Sequence, residues 1–219
     1  MNLTPDRGST SLDSDLAGEA ERIAVLYAPR SLRSGYRSLL WLDALLAHIA
    51  LTAREPALAQ LKLAWWRDAC AALGQPARHP VLAALVVTGC DDREALVALV
   101  DAWEEVAVGE RGLPAAAEGL GRRRAGLLAR CAGEPEAAAC AAARSWTLAT
   151  LANHAASIEE REEMLRAARA GPLSRLSRPL RPLAVLGGLA RRAAGRGGGH
   201  LLGDRMSPLV AMRLGIFGR

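Results

Sequence analysis

The chain lacks any run of about 20 residues free of charge, so no membrane-spanning helix is expected. It has one Phe and one lysine, Lys62. β-branched residues are few, which disfavours strands. The four cysteines, Cys70, Cys90, Cys131 and Cys140, have none of the close spacings of a zinc knuckle or a redox pair, and each sits in an Ala/Leu-rich setting that reads as a small buried thiol. His48, His79, His154 and His200 are scattered and form no HExxH-like pair, so metal binding through histidine is not expected. Residues 1–18 carry Asp6, Asp13 and Asp15 but neither the basic start nor the apolar core of a signal peptide. That stretch reads as a disordered lead-in, and the protein as cytoplasmic. No helix-turn-helix, zinc finger or aromatic-interleaved basic strand points to nucleic acid.

What is present favours helices. The 219 residues suit one domain, and 51% of them are hydrophobic, mainly Ala and Leu. Apolar spacing and punctuation predict helices over 19–27, 31–53, 56–73, 80–89, 93–108, 114–131 and 136–157. A separate polar helix is predicted over 158–170 and a last one over 183–194. Pro56 suits the first position of its helix, and Asp91 or Asp92 suits the N-cap of another. The domain is expected to span 19–194, followed by a Gly-rich break and an apolar-basic tail over 195–219. Charge is uneven: the net value is +5, yet from Met164 onward eleven arginines face a single acid, Asp204. Such a basic part suits an anionic membrane surface or an acidic protein partner, and a bias toward Arg throughout the chain explains part of it.

One segment is specific. It reads Leu26-Tyr27-Ala28-Pro29, then Arg54-Glu55-Pro56, then Leu63-Ala64-Trp65-Trp66-Arg67-Asp68. A Glu-Pro turn followed by a Leu-x-Trp-Trp-Arg helix, with Glu55, Pro56, Trp65, Trp66 and Arg67 as its signature, is similar to the first helices of the squalene/phytoene synthase family. The likeness is to a divergent bacterial branch and to the mitochondrial complex I assembly factor of that family. Ser145 to Ala149 and Asn153-His154 resemble the second signature helix more weakly. The resemblance implies an all-α, isoprenoid synthase-type antiparallel helical bundle around a central cavity. It also implies head-to-head condensation of two prenyl diphosphates, with magnesium held by carboxylates on two facing helices.

The chemistry explains why the acids matter. A diphosphate leaving an allylic carbon must have its charge neutralised, and two acids at i and i+4 share one helix face and can share a metal. Here Asp43 falls on the first acid, but its i+4 partner is Ala47 and Ala44 fills the neighbouring slot. The second site falls near Asn153 or His154, with Ser157 or Ile158 one turn on, and none of these is a carboxylate. Tyr36, Arg37, Asp43 and Ala47 are expected along one cavity-facing stripe, with Asp43 paired to an arginine such as Arg37 or Arg67. No confident catalytic residue and no metal ligand set emerges. The expectation is a non-catalytic protein, acting in lipid or isoprenoid binding or in assembly. It would need no cofactor, would take a prenyl lipid or prenyl diphosphate as ligand, and would lie in the cytoplasm or peripherally at the inner membrane. The alternative is an active, Mg-dependent prenyltransferase.

Overall fold

A computed structural model describes residues 18–53, 55–75 and 79–218. Nearly all of the expected lead-in, and Arg54, lie outside them. The described residues form ten α-helices and no strand. The helices are α1 (Glu19–Val25), α2 (Arg33–Thr52), α3 (Pro56–Ala71), α4 (Pro80–Thr88), α5 (Arg93–Val108), α6 (Leu113–Ala132), α7 (Glu136–Leu151), α8 (Ile158–Arg169), α9 (Arg181–Gly195) and α10 (Ser207–Phe217). Short 3-10 turns, Arg30–Leu32 and Ala152–His154, lead into α2 and out of α7. None of the helices is long and apolar enough to cross a membrane.

Local chemistry sets most of the helix ends. Pro56 and Pro80 open α3 and α4, where the missing N–H is no loss. Asp92 caps α5 by accepting from the Ala95 N–H at 3.0 Å. Gly89, Gly109 and Gly133 close α4, α5 and α6 in the left-handed conformation. Most boundaries fall within two residues of expectation, and two segments differ by more. The helix predicted over 136–157 stops at Leu151 because a reciprocal cap starts α8. The Ser157 hydroxyl accepts from the Glu160 N–H at 3.1 Å, and the Glu160 carboxylate accepts from the Ala156 N–H at 2.8 Å. The segment read as a tail is also helical over Ser207–Phe217. That helix, α10, packs on α9 and α1 through Ala211, Leu214 and Gly215.

Helix α7 lies against α6, α8 and α9. Its Ala139, Ala142 and Ala143 are buried, and Gly187 of α9 meets it so closely that a Cβ there would lie 2.8 Å from the Ala142 backbone. Small residues thus let three helices crowd one. Helices α2, α3, α4 and α5 form the adjoining layer, filled by Leu39, Leu42, Leu46, Leu63, Leu85, Leu96 and Leu99. The expectation of four small buried thiols holds in full for Cys70 only: Cys140 is a free thiol but half-buried, and Cys90, just after α4, and Cys131, near the end of α6, form a disulfide. The two are 41 residues apart, a separation from which no pairing can be read. Burial pushes the Cys70 thiol up to about 12, so it stays protonated and inert.

Candidate functional site

Asp43 lies on the inward face of α2 and is the point where four helices meet. Arg124 of α6 grips its carboxylate with two hydrogen bonds, Nη2 to Oδ2 at 2.7 Å and Nε to Oδ1 at 3.2 Å. The Trp103 indole of α5 donates to Oδ1 at 2.8 Å. The remaining guanidinium nitrogen donates to the Thr147 hydroxyl of α7 at 3.0 Å, and that hydroxyl donates onward to the Ala143 carbonyl. The guanidinium plane also lies over Trp146, 4.1 Å from the ring centroid, and 5.1 Å from that of Trp103. Both charged side chains are more than nine-tenths buried. A fork-to-fork pair of this kind suits Arg better than Lys.

Above this knot lies an open cleft of about 350 Å3 between α2 and α7. Its walls are Leu40, Ala47 and Leu51 on one side and Trp146, Thr150 and Leu151 on the other, with His48 and His154 at the rim. Glu21 of α1 reaches in from a third side. Burial pushes its carboxyl above the ordinary value and the Asp43 charge adds to that. The backbone and Arg124 pull the other way, and Trp146 helps them slightly. A second cavity adjoins, between the start of α1 and residues 199–203.

Of the residues expected along one stripe, only Asp43 and Ala47 share the cleft, joined by His154 at its rim. Tyr36 is buried two turns before Asp43, where its hydroxyl donates to the Pro179 carbonyl at 2.8 Å and burial pushes its pKa up. Arg37 is exposed, because it lies off the buried stripe formed by Tyr36, Leu39, Leu40 and Asp43. Asn153 faces the second cavity and accepts from the Gly199 N–H, and Ser157 is a helix cap. Arg67 does not reach Asp43; it pairs with Asp101 and Glu104 of α5, tying α3 to it. Trp66 is core and Trp65 is 40% exposed, consistent with adjacent residues pointing apart on a helix. Glu55 is exposed and precedes α3.

Arg124 and Glu21 are the residues missed. Arg124 had a legible signal: it sits with Leu120, Leu127 and Leu128 on one buried face of its helix, and an arginine on an apolar stripe needs a buried partner. Glu21 had none, since only folding brings α1 to the cleft.

The donor set does not fit a magnesium cluster. Both oxygens of Asp43 are occupied by Arg124 and Trp103, and the neighbouring helical turn offers Ala47. Among the described residues no three His, Cys, Asp or Glu side chains converge as metal ligands. Comparison with family models, with curated proteins and with solved structures gave no match.

Proposed function

We propose that this chain is a non-catalytic protein of the squalene/phytoene synthase type that holds an apolar, isoprenoid-like ligand in the cleft between α2 and α7, in a binding or assembly role. One observation carries the reading: the cleft persists above Asp43, while the carboxylate that would face a metal is consumed by Arg124. The volume falls within the range of small-molecule sites, roughly 300–1,000 Å3. About half of the lining residues are aliphatic or indole, and Arg124, the one cation among the fully charged groups there, is already spent on Asp43, which suits a hydrocarbon chain better than a diphosphate. Catalysis of prenyl condensation rests on stabilising a leaving group of high charge, and loss of even one such stabilising contact costs about 3–4 kcal/mol.

The test has two arms. Purified protein is incubated with labelled farnesyl or geranylgeranyl diphosphate and magnesium, and products are extracted. No condensation is expected, and squalene-like or phytoene-like product would establish the prenyltransferase reading instead. In the second arm farnesol is titrated while tryptophan emission is followed, since Trp103 and Trp146 line the cleft. A saturable change is expected, and Ala47→Trp, which fills the cleft, should abolish it. An unchanged spectrum, or a change that survives A47W, would remove the ligand reading.

A further inference from the structure

Helix α10 breaks the usual rule for a surface helix. One face packs on α9 and α1 through Ser207, Ala211, Leu214 and Gly215. The opposite face is expected to be polar in water. Instead it presents Leu209, Met212 and Ile216 in helical register, with Met206 and Phe217 at the two ends, each 46–55% exposed. Arg213 is the only charged residue within the helix. Among the described residues nothing covers this face. Single exposed apolar residues are ordinary, but four on one short helix with a fifth at its N-cap form a patch.

The surroundings of that patch are basic. The segment before α9 clasps the end of α10: Leu176 N–H donates to the Gly218 carbonyl at 3.0 Å and Arg175 Nε donates to the Phe217 carbonyl at 3.1 Å. This brings Arg175, Arg178 and Arg181 to the C-terminal end of the apolar face. Arg181 feels burial first and then repulsion from Arg175 and Arg178. Two of its buried nitrogens find no hydrogen-bond partner among the described residues. Among the described residues no carboxylate pairs with Arg175, Arg178, Arg181, Arg205 or Arg213. The one acid of the region, Asp204, is taken by Arg192 and Arg196. One arginine at a helix C-terminus would be ordinary helix-end electrostatics; three with no counter-charge among the described residues exceed it.

We propose that the outer face of α10 docks on an anionic lipid surface, with Leu209, Met212, Ile216 and Phe217 entering the headgroup–acyl boundary and the exposed Arg175, Arg178 and Arg213 meeting the lipid phosphates. Apolar residues flanked by arginines are the composition of an interfacial helix, and each basic residue adds to attraction for an anionic leaflet. A second copy of this chain fits less well, because a contact through the patch would bring two basic rims together with no acidic side chain among the described residues there to offset them, Asp204 being held by Arg192 and Arg196. The proposal is independent of the cleft and its ligand.

Cosedimentation of the full chain with vesicles tests it, using phosphatidylcholine alone and phosphatidylcholine mixed with phosphatidylglycerol. Binding is expected only to the mixed vesicles. Leu209→Ser with Ile216→Ser should weaken it by about tenfold or more, since two side chains lose their apolar transfer. Both point outward, so an unchanged circular dichroism spectrum confirms the fold of that variant. Arg175→Gln with Arg178→Gln should weaken binding and flatten its salt dependence. Failure of the parent chain to bind the mixed vesicles at low salt overturns the proposal. So does binding that L209S/I216S leaves intact, which would be charge alone. A dimer in sedimentation that the same pair of substitutions dissolves also overturns it, because the patch would then be a subunit contact.

Discussion

At the scale of single residues, the Asp43–Arg124 pair carries the strongest consequences. Removing one member of a buried ion pair leaves the other charge without compensation, which costs about 3–5 kcal/mol. Arg124→Met should lower stability by that amount in urea unfolding, although Trp103 still donates to Asp43. The double variant Asp43→Leu with Arg124→Met should recover most of the loss, because an apolar replacement of a whole pair is often neutral or better. If R124M unfolds with the parent midpoint, the pair has no energetic role. Glu21 makes a different prediction. Its folded pKa is raised from the ordinary 4.5, chiefly by burial. Between 4.5 and that raised value the folded chain binds more protons than the unfolded one, so stability falls as pH rises through this window and stays lower above it. Glu21→Gln should therefore raise the melting temperature at neutral pH, with the gain shrinking as pH falls toward 4.5. A gain independent of pH would assign the effect to something other than ionisation.

At the scale of elements, the link between Cys90 and Cys131 joins the turn before α5 to the end of α6, enclosing both helices. A loop of about 40 residues closed in this way stabilises by about 4 kcal/mol in the chain-entropy description. Thiol titration of the unfolded, unreduced protein should find two thiols per chain, Cys70 and Cys140, and four after reduction. Four before reduction would show that the pair is not bonded. Gly35 of α2 explains why this corner packs tightly, since a Cβ there would lie 2.5 Å from the Cys90 sulfur. Helix existence was legible almost everywhere, because apolar spacing, Pro at helix starts and Gly at helix ends are local signals. Helix α5, predicted over 93–108, forms as Arg93–Val108 because Asp92 and Gly109 mark both ends. The predicted 136–157 helix overran because an Ala-rich sequence has no breaker at 152–156. There the stop comes from the next helix's cap.

At the scale of the whole molecule, the all-helical character followed from composition and spacing, but the pairing of helices did not. That Asp43 needs an arginine was legible from the cost of burying a bare carboxylate. Which arginine it takes was legible only in part: Arg124 stands on an apolar stripe of its helix, but nothing local tells that this stripe faces Asp43. Arg37 turns to solvent and Arg67 to α5, which leaves Arg124 (81 residues away in sequence) to supply the charge. The apolar composition of 206–217 was legible too. Its helical state was less so, since a short segment gains helicity from packing on α9 and α1 rather than from propensity.

The same pair constrains which changes of sequence are open to this protein. Placing a second carboxylate at position 47 would be one substitution, yet Asp43 would still be held by Arg124 and unable to face an incoming cation. Freeing it means replacing Arg124 first, and that intermediate carries an unpaired buried charge. Folded domains hold only about 5–15 kcal/mol in reserve, so a loss of 3–5 kcal/mol removes a large share of it. The order of steps therefore matters more than their number: a descendant that binds a metal here must first gain stability elsewhere, and selection on single substitutions will keep this cleft as it is.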